Sequence, residues 1–111
     1  MSKVFVVQKQ QRWDGAKGEL VPKFDLKPAE QYGELVFLLS PTANPWNAAR
    51  MIAELRTKLA TFTAEDYLLL IGNPVLMGLT VALAAERTGR LQLLQWSGKD
   101  GKYIRIECAL K

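Results

Sequence analysis

The sequence predicts one small α/β domain spanning residues 1–111, ordered β-(loop)-β-α-β-α-β-β, with a partly parallel sheet, an antiparallel C-terminal hairpin and two helices. Three observations carry that expectation. Asp66 to Gly89, DYLLLIGNPVLMGLTVALAAERTG, reads as a buried strand, a tight turn and an apolar helix in one piece. Glu34 to Phe62 repeats the plan with ELVFLL followed by an amphipathic stripe. Leu91 to Leu110 then gives two strand-like runs joined through Asp100-Gly101, a hairpin signal.

Residues 3–8, KVFVVQ, combine β-branched and aromatic side chains and suit a strand. The polar stretch that follows carries Gly15 and Gly18 and reads as a loop or a long hairpin connection. Trp13 lies in its middle, and the expectation is that it folds back onto the core. Pro22 to Gly33 has two prolines and no clean period, so residues 1–33 read as a strand plus an irregular segment, with one turn of helix after Pro28. Residues 34–111 form the β-α-β-α-β-β core.

Glu34 to Leu39 is a continuous apolar run between Gly33 and Ser40-Pro41, the pattern of a strand covered on both faces. Asn44-Pro45 predicts a helix start, because asparagine accepts from free N–H groups and proline at the first helical position loses only an unpartnered donor. Ala48, Ile52, Leu55, Leu59 and Phe62 trace its inner stripe, with Arg50, Glu54 and Lys58 outside. Tyr67 to Ile71 is the expected central strand. Asn73-Pro74 repeats the cap chemistry and opens a second, more buried helix, in which Gly78 suggests close approach to a strand and Gly89 supplies the left-handed cap.

The last two strands are Leu91 to Trp96 and Lys102 to Leu110. Alternation puts Leu91, Leu93, Gln95, Ile104, Ile106 and Cys108 on a core face. Gln92, Leu94, Trp96, Tyr103, Arg105 and Glu107 share the other, which reads either as a binding surface or as the floor under another helix. Two overlapping β-α-β units imply right-handed crossovers, three parallel strands and an antiparallel edge.

Composition bounds the chemistry. Hydrophobic residues make up 49% and charged residues 23%, and 15 basic against 11 acidic residues leave a charge of +4, so the chain is an ordinary globular one with a mild preference for anionic partners. A single cysteine and no histidine remove disulfides, multi-cysteine zinc sites and most nucleophilic triads. MSKVFVVQKQ lacks signal-peptide character, and Gly72-Asn73-Pro74 splits the apolar Tyr67 to Ala85 into pieces too short for a bilayer. A cytoplasmic protein without membrane contact, metal or cofactor is expected.

In open α/β sheets ligands sit beyond the carboxyl ends of the parallel strands. Asn44, Gly72 and Asn73 fall there and form a candidate anion site, against the plainer reading that each asparagine only caps its helix. GNPVLMGLT fails as a phosphate loop, having one residue too many between its glycines and Leu79 in place of lysine. Glu34, Glu65 and Asp66 fall at the amino ends of strands, away from that edge, and Cys108 has no activating base. The expectation is a protein that is not an enzyme.

DYLLLIGNPVLMG, the alanine-rich helix ending at Gly89-Arg90, and the runs LLQW and KYIRIE together resemble small uncharacterised α/β proteins encoded by tailed bacteriophages. The resemblance covers about the last 45 residues, and Asn73 and Thr88 depart from its pattern. It implies a phage accessory or host-modulating factor in the host bacterial cytoplasm and supplies no activity.

The leading functional expectation is therefore a non-catalytic protein that binds another protein, with homodimerisation through the hairpin edge as a variant. The alternative is nucleic-acid binding, with Lys99, Lys102 and Arg105 on phosphates and Trp96 or Tyr103 stacking on bases. A small-anion or nucleotide binder at the helix starts is the more distant third.

Overall fold

A computed structural model describes all of residues 1–111. Its seven strands are β1 (Lys3–Gln8), β2 (Gln11–Asp14), β3 (Glu19–Pro22), β4 (Glu34–Leu39), β5 (Tyr67–Leu69), β6 (Arg90–Ser97) and β7 (Lys102–Ala109). Two α-helices, α1 (Ala48–Lys58) and α2 (Pro74–Thr88), and a 3-10 helix at Lys27–Tyr32 complete the chain.

Five strands form one sheet in the order β4-β1-β5-β6-β7, and β2 and β3 pair separately as a hairpin. β1 runs parallel to both β4 and β5, β5 parallel to β6, and β7 returns antiparallel to β6. Four strands are thus parallel, one more than the helix pattern implied. The additional one is β1, whose only clue was a short apolar run with no helix beside it. It takes the slot next to β5 and has Val4, Phe5, Val6, Val7 and Gln8 buried.

That insertion displaces β4 to the sheet margin, correcting the expectation that it is covered on both faces. Leu38 and Leu39 are buried, while Phe37 stays 41% exposed with the Lys9 ammonium over its ring at 5.6 Å. A run of apolar residues records burial without recording which strand neighbours supply it.

Both α-helices lie on one face of the sheet. Phe5, Val7, Leu38, Leu55, Phe62, Leu68, Leu76 and Leu91 form the core beneath them. The opposite face carries Val4, Val6, Leu69, Ile71, Leu94 and Tyr103 under Ala29 of the 3-10 helix, flanked by Phe24, Leu26 and Tyr32. This division follows from right-handed crossovers. The chain moves one way from β1 to β4 and the other way from β4 to β5 and β5 to β6, so the connections fall on opposite faces.

Helix starts separate the two asparagine-proline pairs. Asn73 caps α2 as expected, its Oδ1 accepting from Val75 and Leu76 N–H at 2.9 and 3.4 Å, and Gly89 ends the helix at φ 74°. Asn44 instead accepts from Trp46 N–H at 2.8 Å in a turn, and Asn47 caps α1 through Arg50 N–H at 3.2 Å. α1 therefore begins later than Pro45 predicts. α2 is also less covered than its composition suggests, since only Leu76, Thr80 and Ala84 are buried and Val75 is 54% exposed. Gly78 faces open space, so no strand approaches it.

At the C-terminal hairpin Ser97 pairs with Lys102 across a four-residue connection, and Gly101 takes φ 63° there. Leu91, Leu93 and Cys108 pack under the helices as expected. Gln95, Ile104 and Ile106 run beyond α2, leaving Ile106 39% exposed. No helix is long and apolar enough to cross a membrane.

Candidate functional site

The carboxyl edge of the sheet is where the loops after β1, β4, β5 and β6 converge. Leu39 and Gln8 are register partners, Gln8 N–H donates to Ile71 O at 3.0 Å, and Trp96 pairs with Tyr103. These residues form the last row of the sheet.

In this strand order the crevice between β1 and β5 is where crossovers diverge and a ligand would enter. Here Gln8 fills it. Its Nε2 reaches Ser40, Pro41 and Ala43 O at 3.1, 3.4 and 3.3 Å, and its Oε1 accepts from Asn73 N–H at 2.9 Å. Gly72 lets the two chains close to this distance. It adopts φ +137°, and a Cβ there would stand 2.6 Å from Gln8 Cβ.

The three residues of the anticipated anion site are consequently not joined in one hollow. Asn44 lines a recess of about 340 Å³ with Ser40, Thr42, Asn47, Arg50 and Glu54, whereas Gly72 and Asn73 lie against Gln8. The Oδ1 atoms of both asparagines accept from neighbouring backbone N–H groups. The helix-start donors that would meet an anion are in part already satisfied.

On the hairpin the candidate residues divide. Lys99 and Lys102 are exposed at the tip, where Ser97 Oγ donates to Asp100 at 2.9 Å. Trp96 is 38% exposed and meets Tyr103 edge to face at 5.0 Å. Tyr103 is 2% exposed, its hydroxyl donating to Asp25 O at 2.9 Å while its carbonyl accepts from Tyr32 OH at 3.4 Å. The amphipathic face is thus the floor under the 3-10 segment as far as Tyr103. That cover stops short of Arg105, which ion-pairs with Glu107 at 3.3 Å.

Burial, reinforced by the Asp25 carboxylate, raises the Tyr103 pKa above 10.0. The neutral phenol is favoured in the fold, so its contribution is intact below pH 10 and fades as pH climbs through the raised value. Tyr103→Phe is expected to cost about 1 kcal/mol near neutral pH by freeing the Asp25 carbonyl. Urea denaturation checks both points: the gap between wild type and variant should narrow at alkaline pH, and a gap that widens there contradicts this assignment.

Asp66 joins two strand ends. Its carboxylate accepts from Lys3 N–H at 2.9 Å and from Thr63 N–H and Oγ1 at 2.8 and 3.2 Å, tying the amino ends of β1 and β5 together.

Sequence reading missed a second aromatic group. Trp46 is 89% exposed in the β4–α1 connection, because Asn47 rather than Asn44 starts the helix. Trp13 is 64% exposed, correcting the expectation that it folds inward, and its register partner Leu20 is 58% exposed. The β2–β3 hairpin has no second layer to cover it. Its base is pinned by Lys23 N–H donating to Gln10 O, just past the end of β1. All 3 tryptophans of the chain are therefore solvent-exposed, each on a segment that leaves or reaches the carboxyl edge.

Neither curated proteins nor solved structures gave a match to this chain. A family model does match, over residues 2–110, and it describes proteins like gp32 of phage Pam3. The match takes in every strand and helix of the fold, well beyond the C-terminal stretches that resembled phage proteins. The chain belongs to the Phage Pam3 gp32-like protein family.

Proposed function

We propose that this protein is a non-catalytic interaction factor that binds another protein in the infected bacterial cytoplasm, through aromatic side chains at the carboxyl edge of its sheet. The supporting observation is the exposure of Trp46 and Trp96 near that edge and of Trp13, with Leu20 beside it, on the hairpin that leaves it. Tryptophan is costly to leave in water and is enriched among residues that dominate protein–protein affinity. Elsewhere on this edge Gln8 is engaged with four backbone groups, and the Oδ1 atoms of Asn44 and Asn73 with backbone N–H groups. A catalytic or anion-binding reading finds little there to use.

Nucleic-acid binding is the second reading, favoured by Lys99 and Lys102 close in sequence to exposed Trp96. It loses Tyr103 as a stacking platform to burial and shares Arg105 with Glu107.

Affinity capture from host lysate, with and without nuclease, distinguishes the two when wild type is compared with the W13A/W46A/W96A variant. A protein retained after nuclease treatment and lost from the variant supports the proposal, at an expected weakening of about 30-fold or more for each tryptophan that anchors the contact. Loss of all partners on nuclease treatment, or equal capture by the variant, overturns it. Trp13 and Trp46 are well exposed while Trp96 also packs on Tyr103, so a native circular dichroism spectrum at the capture temperature serves as the folding control.

A further inference from the structure

The sheet has two free margins, and the longer is β7. Leu110 N–H donates to Gly89 O at 3.0 Å, which turns the even-numbered residues of β7 toward β6. The N–H and C=O groups of Tyr103, Arg105, Glu107 and Ala109 consequently point away from the sheet, and no strand of this chain lies beyond them. Only the Tyr103 carbonyl meets a cover, from Tyr32.

We propose that two copies of this chain join β7 to β7, antiparallel, about a two-fold axis at Ile106. The charges select this register. With the axis at Ile106, Arg105 of each copy faces Glu107 of the other, and both residues present outward N–H and C=O groups for a hydrogen-bonded pair. Moving the axis one residue back sets arginine against arginine. Moving it one residue forward sets glutamate against glutamate.

Charges on an exposed strand ordinarily deter pairing. Here the alternation of sign makes the edge complementary to itself, as a two-fold contact requires. The same register puts Ile106, 39% exposed in one chain, against its counterpart, and places half-buried Ile104 opposite Cys108 of the second copy. The intrachain Arg105–Glu107 pair at 3.3 Å shows that both side chains lie on one face and within reach of such a partner. The other margin, β4, carries Glu34 as its one charged residue and offers no equivalent register. This contact does not rest on the tryptophan edge, and the two stand or fall separately.

Sedimentation equilibrium on the full chain should give a dimer at twice the 12.5 kDa chain mass. Arg105→Glu and Glu107→Arg should each weaken that dimer by at least about 10-fold, and the R105E/E107R double variant should restore it. Under mild oxidation I106C/C108S should form a disulfide-linked dimer, since non-hydrogen-bonded partners across an antiparallel pair have Cα atoms about 4.5 Å apart. I104C/C108S should not. A monomer at all concentrations overturns the proposal, as does a double variant no tighter than the singles, or linkage through position 104 in preference to 106. Circular dichroism of each variant confirms that the chain is folded where it is compared.

Discussion

Gly72→Ala is expected to lower folding stability by about 3 kcal/mol, although it adds a single methyl group. Two costs combine. The backbone at Gly72 holds φ +137°, which side chains other than hydrogen rarely tolerate, and the new Cβ would meet Gln8 Cβ at 2.6 Å and Oε1 at 3.0 Å. Rotation of the Gln8 side chain cannot move its Cβ, and its buried amide is held by Ser40, Pro41, Ala43 and Asn73, so the backbone itself must shift. Urea denaturation measures the loss. A change below about 1 kcal/mol would mean that β1 and β5 part easily at their carboxyl ends.

Gln8→Leu should cost about 2–4 kcal/mol despite nearly conserved volume. The leucine removes the acceptor of Asn73 N–H and the donor shared by three carbonyls of the Ser40–Ala43 turn. Gln8→Glu separates these contributions. It keeps an acceptor for Asn73 but replaces the donor with a carboxylate facing carbonyl oxygens, so it should be at least as destabilising at neutral pH and recover on acidification. A Gln8→Glu variant as stable as wild type at pH 7 would show that the carbonyl bonds contribute little.

Much of the architecture was legible because local patterns settle local structure. The Asn73 cap, the Gly89 terminus and the Asp-Gly hairpin all describe residues near in sequence, and the structure realises each; the stripe of Ala48, Ile52, Leu55, Leu59 and Phe62 holds from Leu55 onward, while Met51 rather than Ala48 is buried and Phe62 lies past the end of α1. The position of β1 was not legible. Nothing in KVFVVQ distinguishes a strand between β4 and β5 from one at a margin, and the coverage of β4 depends on that choice.

The site was harder to read, for a related reason. Asn44 and Asn47 are both sound caps, and competition between them decides whether Trp46 is inside a helix or in solvent. Tyr103 and Trp96 alternate correctly on one face, but how far the 3-10 segment extends over that face decides which is available. Gln8 gave no signal at all as the plug of the crevice, because its partners are 32 to 65 residues away in sequence.

The placement of β1 also bears on how the chain is made. The most buried strand is synthesised before both of its neighbours, β4 and β5, and the second of these ends only at Leu69. Until then the VFVV segment has only β4 to pair with and only α1 to cover it, and its β5 side stays open. Parallel pairings of such long sequence separation must wait for loop closure, which slows folding. The nascent chain is therefore most exposed to misassociation while its first half is complete and its second is still being synthesised.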